Sequence, residues 1–189
     1  MKTNRMEAFS DGVLAIIITI MVLELKPPET VDREAIKILI PTLVSYLLSF
    51  IYVGIYWNNH HHLLFKLKRL NGKVLWSNLH WLFWMSLIPF STAWVGMSPL
   101  ETVPAIVYGV ILFFCAVSYL FLQKKVVECE GSNSDLAKEI GFDWKGKTSL
   151  VMYATGIAFA FWLPIISYVM YFVVAIGWFI PDPRIEKTI

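Results

Sequence analysis

The stretch Arg5–Leu25, RMEAFSDGVLAIIITIMVLEL, carries Arg5, Ser10 and Asp11 near its start and then runs apolar as far as Glu24. From Phe9 to Leu25 it is long enough to cross a bilayer core, which takes ~17–25 mostly apolar residues, and Lys26-Pro27-Pro28 stops it. At about 100° per residue, Phe9, Gly12, Ile16, Ile20 and Leu23 share one side of the helix. Ser10 and Asp11 point well away from that side. The helix therefore has two faces, one polar at its head and one smooth and aliphatic. Asp11 lies about a turn inside the apolar run, where an unpaired carboxylate is costly, so the polar face needs partners.

The rest of the chain has the same character. Of 189 residues, 57% are hydrophobic and only 16% charged, with a mean hydropathy of +0.62. Soluble domains run to about 45–50% apolar and about 25% charged, so the bilayer is the natural solvent here. Ile38–His60, Leu75–Val95 and Val103–Leu122 are further expected spans, the second and third with an interior proline, Pro41 and Pro89. Ser149 to Ile180 carries no charge and is too long for a single crossing at ~1.5 Å per residue. Pro164 divides it into spans at about 148–163 and 165–180. The expected fold is thus an all-α integral membrane protein, one domain over residues 1–189, with six transmembrane helices. Its sizeable loop, 123–147, contains SNSDLAKEI, where Ser132 with Asp135 forms a capping-box start for a short surface helix.

Basic residues set the orientation. With a cytoplasmic N-terminus, the inner segments hold Lys2, Arg5, Lys66, Lys68, Arg69, Lys73, the five lysines from Lys124 to Lys147, Arg184 and Lys187. The outer ones hold Lys26, Arg33 and Lys37. Both termini are therefore expected in the cytoplasm. This distribution belongs to membrane topology and argues against nucleic-acid binding. The N-terminus has no small-residue cleavage site after its apolar run, so no signal peptide is expected.

Three separated polar clusters fall at one depth in this topology. Arg5, Ser10 and Asp11 open the first span, WNNHHHLLFK (Trp57–Lys66) closes the second, and SNLHW (Ser77–Trp81) opens the third. Arg5, one of His60, His61 and His62, and Asn78 or His80 are the partners within reach of Asp11. The register selects no single histidine. Together these residues form a polar latch joining the first three spans near the inner leaflet.

Several chemistries are excluded. Cys115 and Cys129 make neither a disulfide framework nor a zinc pattern. Three consecutive histidines point in three directions on a helix and make a poor metal cage, so no metal and no cofactor is expected. No second intramembrane aspartate accompanies Asp11, and Ser10-Asp11-Gly12 has no dependable geometry with a remote histidine, so no enzyme is expected. Trp57, Trp76, Trp81 and Trp94, near span ends, read as interfacial anchors. The TVGYG carbonyl filter of ordinary potassium channels is absent, so carbonyl rings cannot be the means of selection.

Arg5-x-x-x-Phe9-Ser10-Asp11 at the head of span one, the trailing GVLAIIITIMVLEL, the His-rich end of span two and the Asn78, Pro89-Phe90 pattern of span three resemble the transmembrane protein 175 family of potassium channels. The likeness extends over all six spans and is specific mainly in the first three. It implies a homotetramer of single six-span chains, as in bacterial members, with four copies of span one lining a central pore. It also implies constricting rings at Ile16, Ile20 and Leu23, with Thr19 beside them matching a threonine implicated in ion coordination and selectivity. Arg5, Phe9, Ser10 and Asp11, with His60, His61 or His62 and Asn78, would form a hydrogen-bonded network that holds the pore helix without touching the ion.

The expected function is a potassium-preferring cation channel with an aliphatic constriction, in the inner membrane of a bacterium, with lipid, potassium ions and further copies of itself as partners. Glu24, by position alone, could ring the outer mouth with negative charge. The rival is a proton-coupled or proton-permeable transporter in which Asp11 and the His60–His62 cluster form a relay.

Overall fold

A computed structural model of the chain describes residues 3–28, 33–131, 134–141 and 143–179. These residues form the helices α1 (Thr3–Leu23), α2 (Arg33–Phe65), α3 (Gly72–Met85), α4 (Ile88–Met97), α5 (Thr102–Glu130), α6 (Asp135–Ile140), α7 (Trp144–Phe159) and α8 (Pro164–Phe179). Three of them, α1, α2 and α5, are long and apolar enough to cross a membrane, and α8 is a shorter apolar helix. Pro41 lies inside α2, which at 33 residues is about 50 Å long.

The helices differ from the sequence expectation in three places. The stretch 75–95 is not one helix. Pro89 has no N–H to offer the carbonyl of Met85, and the chain breaks at Ser86-Leu87 before restarting with Pro89 in the first turn of α4. The Ser86 N–H bonds the Leu82 carbonyl at 2.9 Å and the Leu87 N–H that of Trp84 at 3.2 Å, so the broken turn keeps its hydrogen bonds. Secondly, α5 runs on to Glu130, so the first residues of the expected loop 123–147 are helical and α7 already begins at Trp144. Lys124 and Lys125 are good helix formers whose long stems can reach water from a helix end, so charge alone does not terminate the element. Thirdly, α6 is capped by Ser134, whose hydroxyl accepts the Ala137 N–H at 3.2 Å. The expected cap Ser132 lies outside the described residues, as do Lys2, Ile180, Arg184 and Lys187.

At Pro164 the uncharged C-terminal stretch turns back, α7 ending at Phe159 and α8 starting at the proline. Ser167 Oγ of α8 donates to the Gly156 carbonyl of α7 at 2.7 Å. Tyr171 fills the seam between α5, α7 and α8. A Cβ at Gly109 would lie 2.0 Å from the Tyr171 hydroxyl, and one at Gly156 would lie 2.6 Å from its ring, so both glycines are there for close approach. Tyr52 of α2 donates to the Tyr171 carbonyl, and Tyr171 to that of Ala105 at 3.3 Å.

Hydroxyls also join α2, α4 and α5. Ser45 Oγ donates to the Thr92 carbonyl at 3.2 Å, Thr92 Oγ1 lies 2.6 Å from Ser49 Oγ, and Ser49 lies 2.9 Å from the Tyr108 hydroxyl. Gly96 lets the α4 backbone approach Thr42 and Ser45. Among apolar neighbours such bonds, with close packing, are what hold helices together. Trp81 is not an interfacial anchor: it is fully buried, its ring stacked on His60 with centroids 4.6 Å apart.

Candidate functional site

The first helix packs against α2, α3 and α4. Its buried stripe is Met6, Ser10, Leu14, Ile17 and Met21, spaced three or four residues apart as a helix face requires. The opposite side is left open by the single chain. Phe9, Ile16, Ile20 and Leu23 are 54%, 58%, 43% and 74% exposed, and Gly12 and Thr19 lie exposed among them. The Thr19 hydroxyl donates to the Ile16 carbonyl at 2.9 Å, which hides its proton from the open face and leaves its oxygen lone pairs as the polar feature there. Glu24 is exposed just beyond the end of the helix.

Ser10 is the polar residue that α1 turns inward. Its hydroxyl donates to the Met6 carbonyl at 2.8 Å and accepts the side-chain amide of Asn78 at 2.9 Å. The Asn78 Oδ1 then lies 2.8 Å from His60 Nε2. Because the Asn78 amide nitrogen already faces Ser10, its oxygen must accept, so His60 carries a proton on Nε2. Ser10, Asn78 and His60 are all fully buried. The result is a one-way chain from α2 through α3 to α1, His60 to Asn78 to Ser10 to the Met6 carbonyl. Every member is satisfied, which a buried polar cluster needs if it is to stabilise.

Asp11 stands outside this chain. Its Oδ1 accepts the Trp57 indole N–H at 3.1 Å, at the half-exposed edge between α1 and α2. One helical turn further out, Glu7 Oε1 meets His61 Nδ1, also at 3.1 Å. His62 joins neither contact. His80 turns to its own helix and accepts the Trp84 indole N–H at 3.1 Å. Arg5 is exposed, and no hydrogen bond or ion pair ties it to a described residue.

The structure therefore brings together Ser10, Asn78 and His60, and separately Asp11 with Trp57. It does not place Asn78, His80 or Arg5 on Asp11. Trp57 and Glu7 were not among the residues expected to pair there, although Glu7-x-x-x-Asp11 and Trp57-x-x-x-His61 each sit four apart, one turn on one helix face. No group of His, Cys, Asp and Glu that could hold a metal occurs among the described residues.

The family model described as the endosomal/lysosomal potassium channel TMEM175 matches residues 5–89, which hold all but the first two residues of α1, then α2, α3 and the start of α4. A protein of Chryseobacterium sp. (strain P1-3) named as a potassium channel is 49% identical over 189 residues, covering 100% of this chain and 98% of that one. A potassium channel of Chamaesiphon minutus is 33% identical over 132 residues, 65% of each chain. The mouse protein named endosomal/lysosomal proton channel TMEM175 is 28% identical over 132 residues, 67% of this chain and 26% of that one. Among solved structures, the crystal structure of a lysosomal potassium-selective channel TMEM175 homolog from Chamaesiphon minutus superposes with a TM-score of 0.78 at 27% identity. It covers 93% of this chain and 95% of that one.

Proposed function

The chain belongs to the TMEM175 family of ion channels, an integral membrane family and not an enzyme family, and from that premise we propose that it is a potassium-preferring cation channel whose pore is lined by α1. The observation that carries the reading is the division of α1 into two faces. One is anchored by Ser10 and packed inside the subunit; the other, bearing Ile16, Thr19, Ile20 and Leu23, is bare in the single chain. An exposed aliphatic stripe on a helix can also face lipid. Two features favour a pore: the threonine set within the stripe, and the polar lock that orients its back.

In this reading α3 and α4 together make the third crossing, and α5, α7 and α8 the last three. Six crossings leave both termini in the cytoplasm, in a bacterial inner membrane. Four copies close around α1. Rings of Ile16, Ile20 and Leu23 form a constriction that water leaves when it is narrow, so an ion meets a barrier. When the helices tilt apart the pore wets and a partly hydrated ion passes. Potassium sheds its hydration shell more readily than sodium, so a tight aliphatic ring disfavours sodium without coordinating either ion. Thr19 supplies the one hydroxyl oxygen near the rings, and Glu24 gathers cations at the outer end. Arg5, open in the single subunit, lies less than two turns before Asp11 and suits a contact to a neighbouring copy.

The test is potassium flux from loaded liposomes carrying the purified protein. Flux that favours potassium over sodium supports the reading, and absence of flux overturns it. A second reading, proton permeation through Asp11 and the His60–His62 cluster, draws on the name of the mouse relative. Asp11→Asn separates the two. A proton relay loses transport with assembly intact, whereas the channel expects a weakened oligomer.

A further inference from the structure

A groove of ≈ 700 Å³ runs between α3 and α5 at the end of the bundle where α3 begins, away from α1, with Lys73, Trp76, His80, Phe121 and Lys125 on its walls. Charge and apolar surface are separated along it. Lys73 is exposed in the first turn of α3, and the Lys125 ammonium lies 5.4 Å from the centre of the Phe121 ring, one turn earlier on α5. Deeper along the same two helices the surface is aromatic: Trp76 is 74% exposed, Phe83 56% and Phe121 45%. His80 accepts the Trp84 N–H on Nε2, so its neutral form carries the proton on Nδ1 and has a donor left.

Among the described residues, one acid is paired with these lysines. Glu128 Oε2 lies 2.7 Å from Lys125 Nζ. Lys73 and Lys125 against Glu128 leave the mouth of the groove positive. Lys125 spends one of its three N–H donors on Glu128 and keeps two.

We propose that this groove binds the headgroup of an anionic phospholipid, with Lys73 and Lys125 on the phosphate and the acyl chains lying over Trp76, Phe121 and Phe83. The inference rests on the reading above that α3 and α5 cross the bilayer, which puts the lysines at headgroup depth. An amphiphile fits better than a soluble anion because the cationic end opens directly onto an aromatic floor. Basic pockets between membrane helices, flanked by indole rings at the interface, suit this class of ligand.

Native mass spectrometry of the intact protein tests it, with phosphatidylglycerol or phosphatidylcholine of the same acyl chains added at equal concentration. Retention of phosphatidylglycerol should exceed that of phosphatidylcholine by roughly thirtyfold, the order expected of two lysines near an anionic headgroup. Lys73→Gln with Lys125→Gln should abolish the preference. Lys73→Gln alone changes only an exposed side chain and should already weaken it severalfold. Lys68→Gln, a basic residue outside the groove, should keep it. Equal retention of the two lipids, or the same loss in Lys68→Gln as in the double variant, overturns the site. Displacement of phosphatidylglycerol by millimolar inorganic phosphate also overturns it, in favour of a soluble-anion site. Potassium flux in liposomes of phosphatidylcholine alone reports the channel reading separately. Flux without lipid preference overturns the groove alone, and lipid preference without flux overturns the channel alone.

Discussion

Asn78 donates its side-chain amide to the Ser10 hydroxyl at 2.9 Å, and through this bond α3 holds the buried face of α1. Both residues are fully buried, so removing either leaves a polar group with no water to turn to. Asn78→Leu orphans the Ser10 hydroxyl oxygen and His60 Nε2–H together. It should cost about 1–3 kcal/mol, read as a lower midpoint of thermal unfolding in detergent. A midpoint unchanged from the parent would mean that the chain of hydrogen bonds does not hold α1.

The histidines should separate cleanly in the same assay. His60→Ala removes a buried ring stacked on Trp81 and should destabilise by about 2–5 kcal/mol, the range for large-to-small changes at packed sites. His61→Ala breaks only a contact to Glu7 at the surface and should cost under about 1 kcal/mol. Equal effects would contradict the assignment of the buried role to His60.

Gly109→Ala places a methyl on the Tyr171 hydroxyl, and Gly156→Ala places one on the Tyr171 ring. Each should destabilise the α5–α7–α8 seam by about 1–3 kcal/mol through overpacking. Gly177→Ala in α8 meets no atom within 4 Å and is the matched control for helix packing. Intrinsic tryptophan fluorescence on heating would rank the three.

Ile16→Asn puts an amide in the proposed constriction. It should wet the ring, raise single-channel conductance severalfold and weaken the preference for potassium over sodium. Val151→Asn, on an exposed position of α7, should leave both quantities alone. Unchanged currents in Ile16→Asn would put that residue outside the pathway.

Much of this architecture is legible in the sequence because membrane helices write their faces plainly. The polar head of α1, the WNNHHHLLFK end of α2 and the SNLHW start of α3 had to meet at one depth, since none could sit alone in hydrocarbon. The division of α1 between Ser10 and the Ile16 stripe follows from the 3.6-residue period. The individual pairings do not follow. Neighbouring histidines differ by about 100° on a wheel, and only the packed position of α2 decides that His60 turns inward. Asp11 reached Trp57 because the edge between α1 and α2 is half-exposed, where an indole N–H suffices and a buried cation is not required. The sequence predicts one span over Leu75–Val95 with Pro89 inside it, whereas the chain breaks there into α3 and α4. An interior proline permits either outcome, and packing of α4 against α2 selects one.

The most direct measurement is the structure of the assembled oligomer in a lipid nanodisc by electron cryomicroscopy, asking which helix runs closest to the rotation axis. The expected result is α1 there, with Ile16, Ile20 and Leu23 turned toward the axis and Ser10 turned back to Asn78 of its own subunit. An assembly in which those three side chains meet lipid tails while a different helix occupies the centre would contradict it.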